Sequence, residues 1–183
     1  MMNYLELGLL LCAQVPGKTN AAGLAYLAQL VQTVPPGWLV DLGTYQGRSA
    51  MLLHRAAPNR MVVTIDNYQE GPDAKRKAGP RPSPVKVAKQ FAGDLHVHLV
   101  KGDTAAVPGF VGNVALVFVD GGHTPQALAA DIAAWKPRVV PGGVMAFDDY
   151  GSARWPAVTM VVDAEMGDWQ RLGVKGSVAA FRR

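Results

Sequence analysis

Five apolar runs in this chain each finish in a carboxylate: WLVD at Asp41, MVVTID at Asp66, VHLVKGD at Asp103, VALVFVD at Asp120, and GGVMAFDD at Asp148 and Asp149. If these are parallel strands of one sheet, their carboxyl ends share an edge, and ligands of open α/β sheets bind outside that edge. Six of the fourteen acidic residues would then line one crevice. Such a crevice suits hydroxyls, an amine, a cationic centre or a metal, and repels bare phosphates. Taken singly, each Asp has a plainer reading, because Asp starts turns and caps helices.

The stretch from Trp38 to Ser49, WLVDLGTYQGRS, is the tightest local signal. An apolar run ends in Asp41, a loop follows with Gly43 and Gly47, and a helix-like segment runs from Ser49 to Ala57. Strand, glycine loop and helix start form the place where such a sheet holds a ligand. The spacing is not G-x-G-x-x-G, since the two glycines stand four apart.

Around this core the punctuation is regular. Residues 3–14 and 20–33 read as helices, the second capped by Asn20 and stopped by Pro35, Pro36 and Gly37. Strands are expected at 38–42, 61–66, 96–101 and 114–120, with a short helix near Val85 to Ala92. His96 and His98 would share a strand face, as a ligand pair or as plain surface. Thr124 then Pro125 is a helix start, cap followed by first-turn proline, and that helix carries through Trp135. Pro141, Gly142 and Gly143 turn the chain into a fifth strand, Pro156 opens a helix closed at Gly167, and 169–174 with 177–182 reads as a hairpin. Alternating strands and helices mean an α/β fold, a mostly parallel sheet flanked by helices, with the hairpin as an antiparallel addition. One domain is expected over 1–183, with N-terminal helices in 1–34 and a Rossmann-like core in 35–183.

Composition narrows the classes. The single cysteine, Cys12, excludes an internal disulfide framework and a Cys-rich zinc site, so a cytoplasmic setting is expected. The GLLLCAQV segment is too short to span a bilayer, so no membrane association is expected. Between Glu70 and Gln90 stand Lys75, Arg76, Lys77, Arg81, Lys86 and Lys89 against Glu70 and Asp73, which equals the whole net charge of +4. No aromatic is interleaved between Tyr68 and Phe91, which speaks against nucleic acid. The stretch reads as a solvated loop, with Gly71 to Pro84 expected as a lid over the ligand edge.

The order of motifs resembles the class I S-adenosylmethionine-dependent methyltransferase family. VDLGTYQGRS is similar to that family's first motif, VVTIDNY to its acidic second strand end, KGDTAAV to its adenine-side loop, and FVDGGHTPQALAADIAAWKPRVVPGGVMAFDDY to its fourth and fifth strands. The last block looks like the small-molecule O-methyltransferases related to macrolide sugar methyltransferases and to cephalosporin-hydroxylase-like proteins. The resemblance covers 35–183 and implies a seven-stranded Rossmann-like sheet with an antiparallel C-terminal strand. It implies that Asp41, Gly43, Thr44, Tyr45, Gly47 and Ser49 surround the methionine part of S-adenosylmethionine, that Asp66 and Asn67 meet the ribose, and that Asp103, Thr104 and Asp120 border the rest of the cofactor. It further implies Asp120, Asp148 and Asp149 as ligands of Mg²⁺. Gly122 departs from relatives that carry a second acid there, and His123 is the nearest candidate base, with Asp120 beside it as the other catalytic residue.

Three other classes compete. A nicotinamide dehydrogenase also wants an acidic ribose contact, but a two-glycine loop preceded by Asp41 fits a pyrophosphate poorly. A nucleic-acid methyltransferase would carry Asn/Asp-Pro-Pro-aromatic after strand four, where Asp120-Gly121-Gly122-His123 stands. A cofactor-binding protein without turnover would not need the metal-like acids. The expectation is an O-methyltransferase acting on a small-molecule hydroxyl, with homodimer formation left open.

Overall fold

The computed structural model of the chain describes residues 3–68 and 83–183. Seven strands, β1 (Trp38–Leu42), β2 (Val62–Asp66), β3 (Val97–Lys101), β4 (Val114–Val119), β5 (Val139–Phe147), β6 (Gln170–Lys175) and β7 (Val178–Arg182), form one sheet in the order β3-β2-β1-β4-β5-β7-β6. The first five run parallel to one another, and β7 runs antiparallel to both β5 and β6. Strand order reverses between β1 and β4. The crevice outside their carboxyl ends is therefore the switch point where open α/β sheets place ligands.

Helices α1 (Tyr4–Gln14), α2 (Ala21–Val31) and α3 (Arg48–Ala56) pack on one face, and α5 (Pro125–Trp135) and α6 (Pro156–Glu165) on the other, with the short α4 (Pro84–Gln90) beside α3. Successive strand residues serve opposite faces. Leu39, Leu116, Phe118 and Val144 join the cluster under α1 to α3, whereas Val40, Val117, Val119 and Met145 join the cluster under α5 and α6. A sheet covered on both faces has no polar side, which is why β4 is buried and apolar at every position. Asn3 opens α1 with a reciprocal capping box to Glu6, and the Asn20 side chain accepts from the Gly23 N–H at the start of α2.

Several expectations shift. β5 begins at Val139, ahead of Pro141 to Gly143, because Val139 already pairs with Val114 and a register irregularity absorbs the turn residues. Gly142, at φ 80°, gives its N–H to the Arg183 carbonyl there. His96 lies just before β3 beside Asp94, while His98 packs between Trp38 and Phe110, so the two histidines form no ligand pair. Lys86 and Lys89 sit on α4; Lys75, Arg76, Lys77 and Arg81, and with them nearly all of the expected lid, lie outside the described residues. Among the described residues no helix is long and apolar enough to cross a membrane.

Candidate functional site

The loop between β1 and α3 is held in a conformation that an ordinary sequence resists. Gly43 at φ 103°, Tyr45 at φ 46° and Gly47 at φ 84° all lie in the left-handed region. A Cβ built on Gly43 would stand 2.2 Å from the Asp120 carbonyl oxygen, so the loop presses against the end of β4. What forbids a side chain at Gly43 is thus the protein's own backbone. Non-glycine residues in this region cost about 1–3 kcal/mol, and Tyr45 keeps its place because Asp66 Oδ2 accepts its backbone N–H at 2.9 Å.

Asp41 does not reach solvent. It is fully buried at the end of β1, where Thr44 and Thr64 hydroxyls meet at 2.6 Å and Thr64 donates to Asp41 Oδ2 at 2.6 Å. Its other oxygen has no partner. Burial pushes its carboxyl up to about 7, against the Thr64 hydrogen bond, which lowers it. Asp41 therefore supports the loop from beneath.

Asp66 ends β2 with both oxygens engaged, one by Tyr45 and the other by the Tyr68 N–H at 2.7 Å. Each oxygen keeps a second lone pair, so hydroxyls could still be accepted. Asn67 follows directly. Asp103 Oδ1 accepts from Ala105, and the Thr104 carbonyl accepts from the indole of the fully buried Trp135 at 2.7 Å. Asp131 sits buried on α5 near Thr104, its carboxyl raised to about 6 by burial.

At the ends of β4 and β5 the chain brings together Asp120, His123 and Asp149, whose ligand atoms all lie within 4.8 Å of one another. His123 Nε2 and Asp149 Oδ2 are 2.8 Å apart, and the imidazole stacks on Trp155 at 4.5 Å between centroids. Asp148 does not join them. β5 ends at Phe147 and Asp149 takes φ 57°, which sends the two adjacent carboxylates different ways. Asp148 turns inward, accepting from Ser177 at 2.5 Å and from Thr19 at 2.7 Å, and burial holds its carboxyl above the usual range. The geometric triad therefore has His123 where Asp148 was expected. Thr19 Oγ1 is also 3.4 Å from Asp120 Oδ2, one hydroxyl linking the buried acid to the triad.

These groups wall a cleft of ≈ 490 Å³ bounded by the glycine loop, Asp120, His123, Asp149 and the segment Pro16 to Thr19. The expectation of six carboxylates lining one crevice needs correction. Asp120 and Asp149 line it, Asp41 and Asp148 are buried beneath, and Asp66 and Asp103 lie outside its wall. Lys18, Arg48 and Arg154 line it as well, so the cleft is bipolar. Thr19 and Trp155 escape sequence reasoning, since no motif marks them, and Arg48 stands inside the glycine-loop motif without having been given a role.

Comparison with known proteins agrees with this layout. The family model described as a methyltransferase domain matches residues 40–150. An uncharacterised protein of Acanthamoeba polyphaga mimivirus is 26% identical over 139 residues, 71% of this chain and 62% of its own length, so the chain spans under two thirds of that relative. The O-methyltransferase NovP superposes with a TM-score of 0.72 at 20% identity, over 86% of this chain and 78% of its own. MycE, a methyltransferase of mycinamycin biosynthesis solved with Mg and SAH, gives 0.67 at 15% identity, over 98% of this chain and 54% of its own. Likeness at that identity speaks for the fold, and the family match speaks for the kind of protein. With more than half of the sequence inside that match, the chain belongs to the methyltransferase-domain family and shares the fold of the O-methyltransferase NovP.

Proposed function

We propose that this protein transfers a methyl group from S-adenosylmethionine to a hydroxyl of a small molecule, with Mg²⁺ held by Asp120, His123 and Asp149. The observation that carries the reading is the convergence of those three side chains within 4.8 Å on the wall of the cleft that the glycine loop also lines. Two carboxylates and one imidazole leave positions open for water and substrate oxygens, and the hard oxygens suit Mg²⁺. Bound there, such an ion would supply the Lewis acidity that lowers the pKa of an acceptor hydroxyl.

The chain's own residues do the positioning. Asp149 fixes the imidazole through Nε2, and Trp155 holds the ring plane. Asp66 has lone pairs to spare for ribose hydroxyls, Asp103 and Thr104 stand at the adenine side, and Ser49 with Thr44 and Tyr45 faces the methionine end. The acidic wall of Asp120 and Asp149 beside the tightly turned glycine loop fits a cationic cofactor better than a pyrophosphate. The Mg and SAH seen in MycE support both ligands.

The same 2.8 Å contact favours a second reading, in which Asp149 orients His123 as a general base and no ion is needed. Mn²⁺ as a paramagnetic probe separates the two. Under the first reading Mn²⁺ binds the protein, and Asp149→Asn and Asp120→Asn each weaken it by roughly tenfold or more. Mn²⁺ binding that ignores both substitutions rejects the metal and leaves the base. Calorimetry in which NAD binds tighter than S-adenosylmethionine rejects both.

A further inference from the structure

Two exposed cations, Lys18 and Arg154, line the cleft from different parts of the chain. Among the described residues no carboxylate lies within ion-pair distance of either. A solvated lysine or arginine is ordinary on a protein surface, and by itself would mean nothing. What sets this pair apart is that each is the sequence neighbour of a side chain touching the triad.

Lys18 stands between Gly17 and Thr19, on a segment held firmly in place. The Thr19 hydroxyl donates to Asp148 at 2.7 Å and lies 3.4 Å from Asp120 Oδ2, while its carbonyl accepts from Arg48 Nη1 at 3.0 Å. At Gly17 a Cβ would stand 2.5 Å from Nε and Nη2 of the same arginine, so the backbone there is pressed against a buried side chain. Arg154 comes instead from the connection between β5 and α6. Its guanidinium lies over the Trp155 indole at 5.1 Å, and that indole stacks on His123 at 4.5 Å between centroids. A cation resting on a ring face spends none of its N–H donors, so those of Arg154 remain available to an oxyanion.

Charge points the same way. Lys18, Arg48 and Arg154 face only two carboxylates on the cleft wall, Asp120 and Asp149, and both of these belong to the triad. Under the proposed function Mg²⁺ adds positive charge, and so does S-adenosylmethionine, whose sulfonium and ammonium outnumber its carboxylate. A neutral acceptor would leave that excess unanswered, whereas an anionic one is drawn in by it and offsets it. The expectation of a crevice that repels phosphates is reversed here, because it considered the acids alone. We propose that the methyl acceptor is an anionic small molecule, its phosphate or carboxylate group bound by Lys18 and Arg154 while its hydroxyl lies at the triad. The proposal rests on the methyl-transfer reading of the same cleft. The point charge of lysine and the planar fork of arginine both match such oxyanions. The anion takes no part in the transfer; it fixes which hydroxyl is presented.

Calorimetry on the full chain, saturated with S-adenosylhomocysteine in Mg²⁺ buffer, tests this with phenyl phosphate, benzoate and the neutral methyl benzoate as probes. At least one anion should bind at least about tenfold tighter than methyl benzoate, the range expected for charge-assisted hydrogen bonds. Lys18→Gln and Arg154→Gln should each weaken that anion by about threefold or more, and together bring it to within about threefold of the neutral probe. Both side chains are exposed, and melting curves check that the variants fold. Lys175→Gln removes the same charge over the Tyr26 ring, away from the cleft lining, and should leave binding unchanged. The tighter of phenyl phosphate and benzoate identifies the oxyanion. No preference for either anion in the wild type overturns the proposal, as does a preference that survives the double substitution or falls equally with Lys175→Gln. Each of those outcomes leaves methyl transfer standing so long as S-adenosylhomocysteine binds. Failure to bind S-adenosylhomocysteine overturns both.

Discussion

Thr19 and Asp148 stand 129 positions apart and meet through a 2.7 Å hydrogen bond, the threonine hydroxyl donating into a buried carboxylate. Ser177 donates to the other oxygen. Replacing Thr19 with valine keeps the shape and deletes one donor, leaving Asp148 Oδ2 buried and unanswered. Such a loss costs about 1–3 kcal/mol, which urea denaturation should read as a lower midpoint at unchanged slope. An unchanged midpoint would mean that water replaces the hydroxyl at no cost.

Asp41 makes stability depend on pH in an unusual direction for a carboxylate. Burial raises it to about 7 in the folded chain, from an ordinary value near 3.8. The folded state thus holds the proton more tightly, so this contribution is complete below about pH 4 and is lost as pH rises toward 7. Asp131, raised to about 6 by its own burial, acts in the same sense. Asp41→Asn removes the titration. Between pH 4 and 7.5 the variant should gain on the wild type steadily, by at most about 4 kcal/mol. A difference independent of pH would exclude this role for Asp41.

Gly43→Ala and Gly93→Ala separate two costs of a glycine. Both positions have positive φ, 103° and 85°, but a Cβ at Gly93 meets nothing within 4 Å whereas at Gly43 it meets the Asp120 carbonyl oxygen at 2.2 Å. Gly93→Ala should cost about 1 kcal/mol, the backbone term alone. Gly43→Ala should cost at least about 3 kcal/mol and lower the melting temperature by several degrees more, since backbone must move. Equal melting temperatures for the two variants would contradict the close packing of loop on strand.

Trp135 ties α5 to the loop after β3 through its indole N–H on the Thr104 carbonyl at 2.7 Å. Trp135→Phe keeps an aromatic ring in the core and removes that donor. Global stability should fall by roughly 1–3 kcal/mol, and amide exchange at residues 103–106 should speed up more than at β4. Uniform acceleration across both would mean that the indole serves the core alone.

Local chemistry made much of this legible in advance. Thr124 accepts from the Ala127 N–H and Pro125 opens α5, as their order in the sequence requires. The acids closing the apolar runs do lie at strand ends, because alternation and turn residues are written along the chain. The direction of each acid is not. Asp148 and Asp149 are adjacent and chemically identical, and only a left-handed backbone at Asp149 sends one inward and the other to His123. The pairings of Arg48 with the Thr19 carbonyl and of Thr19 with Asp148 were invisible for a different reason: the partners are far apart in sequence, and a single sequence carries no trace of such a contact.

The placement of β7 between β5 and β6 has a consequence for the newborn chain. Asp148 is clamped by Thr19 from the first helices and by Ser177 from the turn entering β7. A ribosome that has delivered every residue of the triad still holds back one of the two clamps, so the nascent cleft carries a buried acid with half its partners. Synthesis must run past Ser177 before that carboxylate can receive both hydroxyls, and any earlier arrest leaves a polypeptide that holds every residue of the triad but lacks one of the two donors beneath it.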